Sequence, residues 1–176
     1  LLVQYLTADT PDAFLKVKRI HDWITDNIAY DSDLLLGLSD QGSRNVADLV
    51  KLKRTTCGGY AGLFHQMAAL AGLNVETIRG NSKTCWIKSS QRDCHHMWNA
   101  VNLGGKWYHV DTTADGRFTY KHNAFTPKKS YRDGYLFIHV DAKLLINLPL
   151  EERQQFRSPA MSRSDYLRIP RVSVLY

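Results

Sequence analysis

Arg54-Thr55-Thr56-Cys57-Gly58-Gly59-Tyr60-Ala61-Gly62-Leu63-Phe64 is the stretch on which the reading of this chain turns. From Gly58 onward Ala61, Leu63, Phe64, Met67, Ala68, Leu70 and Ala71 are apolar nearly all round, which predicts a buried helix with Gly72 as its stop. Cys57 then falls in the first turn, where unpaired N–H groups and the positive end of the peptide dipoles favour a thiolate over a thiol. Gly58 and Gly59 are candidates, with Trp98, for a wall beside the thiol, since another backbone can approach the glycines without side-chain obstruction. A cysteine at a helix start is often only a core residue, so a catalytic reading depends on partners.

The partners come from the strongest hairpin signal in the chain. Met97-Trp98-Asn99-Ala100-Val101-Asn102-Leu103 is followed by Gly104-Gly105 and then Lys106-Trp107-Tyr108-His109-Val110-Asp111. A two-residue turn sets Leu103 opposite Lys106; counting outward, Trp98 falls opposite Asp111 and His96 opposite Thr113. His96, Trp98, Asp111 and Thr113 should therefore share one face, with His96 and Asp111 as diagonal neighbours. A carboxylate holding one imidazole nitrogen fixes the tautomer and leaves the other nitrogen to take a proton from a thiol. Cys57, His96 and Asp111 thus group as a candidate catalytic trio. Trp98 on the same face either shields the pair or simply packs the core.

Amide chemistry also needs donors for an oxyanion. The Cys57 N–H is one, and Gln41, Tyr30 and Asn27 are the side-chain candidates for the second. Of the other histidines, His95 should point to the opposite face from His96, His109 lies one pair nearer the turn, and His65 reads as a satisfied core histidine. Cys85, Cys94, His95 and His96 have a metal-like composition, but adjacent strand residues diverge and no second spaced pair completes a tetrahedral set. No metal or other cofactor is expected. Cys85 and Cys94 bracket a polar segment that can fold back and let them form a disulfide. Such a bond would indicate an oxidising compartment, secreted or periplasmic, whereas two reduced cysteines would suit the cytoplasm.

Composition sets the frame. The 176 residues, 44% of them hydrophobic and 11% aromatic, suit a single domain; the resemblance set out below implies a core over about 10–115, with a C-terminal extension over about 135–176 packing on it. The formal charge of +6 comes from scattered Lys and Arg, apart from Lys51-Leu52-Lys53-Arg54 and a C-terminal series at Arg153, Arg157, Arg163, Arg168 and Arg171. Neither cluster is interleaved with aromatics as a nucleic-acid groove would be, so a solvated basic surface and no nucleic-acid partner are expected. No apolar run reaches the roughly 18–20 residues that span a bilayer. The chain opens on Leu1, which reads as a piece of a larger or processed protein.

Elsewhere, Asp9-Thr10-Pro11-Asp12 followed by Phe14, Val17, Ile20, Ile24 and Ile28 predicts a helix with Pro11 inside its first turn. Residues 31–45 read as a polar surface loop, 45–50 as a short helix, 74–80 as a strand, 114–134 as a long polar connection and 135–140 as a strand. The order defines an α+β domain with an antiparallel sheet.

Four blocks then carry a resemblance. Ile20-His21-Asp22-Trp23-Ile24 with Asn27-Ile28-Ala29-Tyr30-Asp31, Thr56-Cys57-Gly58-Gly59-Tyr60-Ala61, His96-Met97-Trp98-Asn99-Ala100-Val101, and Trp107-Tyr108-His109-Val110-Asp111-Thr112-Thr113 resemble, in order, the transglutaminase-like superfamily. The flavour is similar to the kyphoscoliosis peptidase branch and its bacterial relatives. The resemblance implies a papain-like fold, a nucleophile-bearing helix packed on an antiparallel sheet, with the family's cysteine, histidine and aspartate falling on Cys57, His96 and Asp111. It implies a protein or peptide substrate and a thioester, resolved by hydrolysis, deamidation or transglutaminase-type acyl transfer; the alternative is a non-catalytic protein-binding scaffold that retains the fold. Met97 stands where alanine is common and Ala114 where tryptophan often follows the two threonines. Animal transglutaminases use calcium, and no acidic cluster of that kind stands out here.

Overall fold

Side-chain caps and turn residues set most element boundaries. The computed structural model describes residues 1–38, 45–82, 94–128 and 136–139. A short helix, α1 (Leu2–Thr7), precedes the expected one. Helix α2 (Ala13–Asn27) begins where the Asp12 carboxylate accepts the Leu15 N–H at 3.1 Å, so Pro11 lies just outside the helix rather than inside its first turn. Strand β1 (Ala29–Asp31) follows directly, and the Asp31 side chain caps α3 (Ser32–Leu35) by accepting the Leu34 N–H at 2.9 Å. Regular structure therefore begins where a loop was expected; Gln41 lies outside the described residues.

Helix α4 (Val46–Leu52) is capped by Asn45 and stopped by Lys53 in the left-handed region, φ 53°. Strand β2 (Arg54–Thr55) leads into α5 (Cys57–Leu70). Tyr60, Ala61, Leu63, Phe64, Met67 and Ala68 of α5 are buried, while Leu70 in its last turn is exposed, so burial is not all round. Strands β3 (Asn74–Ser82), β4 (Cys94–Leu103) and β5 (Lys106–Val110) then form antiparallel pairs. Gly104 and Gly105 both have positive φ, 61° and 83°, the backbone that a tight two-residue hairpin turn requires.

The register is the expected one as far as the ladder runs: Leu103 faces Lys106 and Asn99 faces Val110. Beyond Val110 the ladder stops. Asp111 caps a single helical turn, α6 (Thr112–Asp115), so Thr113 is helical and does not stand opposite His96 in the sheet. The expected polar connection over 114–134 also contains a hairpin, β6 (Phe118–Lys121) and β7 (Ala124–Pro127). Strand β8 (Leu136–His139) pairs with β5.

Among the described residues the strands form two four-stranded sheets. One is antiparallel, in the order β3-β4-β5-β8. The other runs β2-β1-β6-β7, with β1 parallel to both β2 and β6. The core joins Val17, Ile20, Trp23, Ile24 and Ile28 to Tyr60, Leu63, Phe64 and Met67, and both to Val101, Tyr108 and Val110 of the antiparallel sheet. Full burial of each such side chain contributes about 1.5–3 kcal/mol, which is what clamps α5 between α2 and the sheet. Asn99 adds a directional tie by donating to the Ala61 carbonyl at 3.1 Å. The fold is α+β and papain-like, and it carries the start of α5 to the end of β4 where His96 stands.

Candidate active site

Cys57 is the first residue of α5 and is half-buried. Its side chain is hydrogen-bonded with His96, and the N–H groups of Met97 and Gly58 donate to its sulfur. Burial alone would raise the thiol pKa; the bond from His96, its charge and the two backbone donors outweigh burial and hold Cys57 below the usual thiol range. His96 meets Asp111 with Nε2 2.6 Å from Oδ2. With Nε2 committed to the carboxylate, Nδ1 is the nitrogen left for the sulfur. Burial disfavours a charged imidazole, but the bonds to Asp111 and Cys57 and their negative charges prevail and push His96 up to about 10. The two shifts run in opposite directions, Cys57 down and His96 up, which is the sense that favours a thiolate beside an imidazolium.

The second oxygen of Asp111 is used as well. Oδ1 accepts the N–H groups of Thr113 and Ala114 at 3.1 and 3.0 Å, so one carboxylate both holds His96 and caps α6. Trp98 stacks on His96, with ring centroids 5.7 Å apart and planes 20° apart, and its indole N–H donates to His109 Nδ1 at 2.7 Å. His96 and Trp98 thus share the face the hairpin count assigned them, with His109 on it as well, and the buried indole covers one side of the imidazole.

The remaining sequence candidates differ in position. Tyr30, half-buried on β1, has its phenol pushed up to about 12 by burial and by the negative charge of Cys57, which keeps it a donor near the sulfur. Asn27 spends its amide on its own helix, donating to the Trp23 carbonyl at 2.8 Å. A Cβ on Gly59 would stand 1.9 Å from Thr55 Oγ1, so this glycine answers to the packing of α5 on β2; at Gly58 it would meet Met97 Sδ at an ordinary 3.5 Å. His65 is half-buried and bonds Thr77 Oγ1 at 3.1 Å. Cys85 and the side chains of Cys94 and His95 lie outside the described residues, and with them the disulfide expectation.

Behind this site lies a buried ionic group beyond those expected from the sequence. His21 sits between two carboxylates, Nδ1 3.1 Å from Asp22 Oδ1 and Nε2 3.1 Å from Asp115 Oδ2, and Lys18 pairs with Asp22. The one available signal was Lys18 and Asp22 four apart amid the apolar positions of α2; the partner Asp115 is 94 residues from His21.

A thiol opening a buried helix, against a histidine on an antiparallel sheet and an aspartate just past its hairpin, is the arrangement of the papain-like class of cysteine enzymes. Within it, the model of the transglutaminase-like superfamily matches residues 2–112, and the chain belongs to that family. Kyphoscoliosis peptidase of Mus musculus is 32% identical over 135 residues, covering 70% of this chain and 20% of that protein; its Homo sapiens counterpart is 33% identical over the same shares. The chain thus spans about a fifth of the length of these curated relatives. A solved structure from Cytophaga hutchinsonii, provisionally described as a cysteine protease, aligns with a TM-score of 0.51 at 18% identity, over 64% of this chain and 35% of that one, and shares the fold. No helix among the described residues is long and apolar enough to cross a membrane.

Proposed function

We propose that the chain is a cysteine-dependent amide-bond enzyme acting on a protein or peptide through a Cys57–His96–Asp111 triad and a thioester. The observation that carries this reading is the continuous contact from the Cys57 sulfur through the His96 ring to Asp111, with Nε2 and Oδ2 2.6 Å apart.

The Cys57 thiolate attacks the substrate carbonyl carbon and the π electrons move onto oxygen. The Cys57 N–H and the Tyr30 hydroxyl are the donors toward that oxyanion; Tyr30 is favoured over Asn27, whose amide is engaged, and Gln41 is the further candidate. His96, as imidazolium, gives its Nδ1 proton to the leaving amine as the C–N bond breaks, leaving the acyl group on sulfur. Water or an amine then loses a proton to His96 and attacks the thioester, and the sulfur leaves as thiolate beside the regenerated imidazolium. Asp111 keeps the ring oriented and its charge stabilised throughout. The departing group and the acceptor decide between peptide hydrolysis, glutamine deamidation and cross-linking.

The test is product analysis by mass spectrometry of an unfolded protein such as casein, incubated with the chain and a primary-amine probe. Cleaved peptides, deamidated glutamines or amine adducts that vanish in Cys57→Ala are expected. Modification that persists in Cys57→Ala, or none at all from a folded wild-type chain across such substrates, would count against the proposal.

A further inference from the structure

Helix α2 grips the chain just beyond Asp111. His21, Asp22 and Thr25 are fully buried and Lys18 nearly so, and Asp115 is buried against them. His21 bridges Asp22 and Asp115. One turn further along α2 the Thr25 carbonyl accepts the Arg117 N–H at 3.1 Å, and Asp26 pairs with the Arg117 guanidinium. From the other side the Tyr60 hydroxyl lies 3.0 Å from where a Cβ on Gly116 would stand.

The segment so held is the turn that begins at the candidate catalytic carboxylate. Asp111 Oδ1 caps α6, and the Asp115 N–H closes the turn on the Asp111 carbonyl at 3.2 Å. The carboxylate that receives His96 and the carboxylate that receives His21 are therefore the two ends of one helical turn. Both nitrogens of His21 face carboxylate oxygens, and only the imidazolium has an N–H for each. Lys18 and His21 then balance Asp22 and Asp115, a neutral buried quartet. Lys128 lies near enough to Asp115 and Asp111 to feel both charges, although burial still draws its own pKa down.

We propose that His21 is a positioning residue for the reaction at Cys57: as an imidazolium bridging Asp22 and Asp115 it locks α6, and through α6 it sets the Asp111 carboxylate against His96. The proposal rests on the reading of Cys57, His96 and Asp111 given above. The charged groups it involves are Asp22 and Lys18 on α2, Asp115 on α6, and Lys128 nearby. Burial works against charge on His21, but the bonds to Asp115 and Asp22 and their charges push it up to about 9, so the lock is closed at neutral pH. When the lock loosens, Asp111 stabilises the His96 imidazolium less well, and the thiolate loses part of its counter-ion. A support that merely held the fold together would leave the thiol's titration unchanged.

The pH midpoint of Cys57 alkylation by iodoacetamide is measured for the wild type, Asp115→Asn and His21→Gln, each checked for native near-ultraviolet circular dichroism. Folded Asp115→Asn and His21→Gln are expected to raise the midpoint by about one pH unit, a tenfold loss of thiolate at fixed pH below it. Folded variants with the wild-type midpoint overturn the proposal. The wild type is also read directly by nitrogen-15 NMR of its imidazoles, which does not depend on the variants folding. Both His21 nitrogens should carry protons at pH 7, and a singly protonated His21 there overturns the proposal. A wild-type midpoint in the ordinary thiol range would instead sink the triad reading, and this proposal with it.

Discussion

Asp111 accepts His96 Nε2 on one oxygen, at 2.6 Å, and the first N–H groups of α6 on the other. Asparagine can still cap a helix but cannot carry the charge that stabilises an imidazolium. Asp111→Asn should therefore retain the wild-type melting temperature to within a few degrees and lose about 10²–10⁴-fold in acylation rate. Asp111→Ala should in addition lose about 1 kcal/mol of stability with the cap. Stopped-flow release of p-nitrophenol from p-nitrophenyl acetate, beside thermal melts, separates the two losses.

Tyr30 is held as a neutral phenol close to Cys57. If its hydroxyl donates to the oxyanion, Tyr30→Phe should lower kcat by about 10–10³-fold with little change in KM or in the Cys57 alkylation midpoint. A Tyr30→Phe variant with wild-type kcat would remove it from the site.

The two glycines after Cys57 should respond differently to alanine. Gly59→Ala drives a methyl into Thr55 on β2 and should cost about 1–3 kcal/mol in urea unfolding. Gly58→Ala meets Met97 Sδ at ordinary contact and gains helix propensity, so its stability should be unchanged or higher. A slower reaction in a stable Gly58→Ala would place substrate along that side of the sulfur.

His21 links stability to pH. Its folded-state pKa lies above the unfolded value, so its stabilising contribution is complete below about pH 6.5 and is lost as pH rises through about 9. The urea midpoint of the wild type should fall across that interval, and His21→Gln should lack this part of the slope. Equal slopes for the two proteins would contradict the buried imidazolium.

Elements specified by neighbours in sequence were legible. The Gly104-Gly105 turn and the alternation on either side of it predict the β4–β5 register and with it the common face of His96 and Trp98. The start of α5 at Cys57 follows equally from local chemistry. Strand β1 did not show, because three residues carry no periodicity and their pairing with β2 and β6 is parallel and long-range. The β6–β7 hairpin turns on His122 and Asn123, both with positive φ, whose N–H groups are held by the distant Asp33 carboxylate rather than by a glycine turn. The His21–Asp115 contact was hidden for the same reason: a buried ion pair leaves no pattern in either segment alone.

If Cys57 and His96 form an ion pair, the rate of Cys57 alkylation by iodoacetamide must report it in its dependence on pH. The wild-type midpoint should lie below the ordinary thiol value of about 8.5 and return to about that value in His96→Ala. A wild-type midpoint at or above about 8.5 that His96→Ala leaves in place would contradict it.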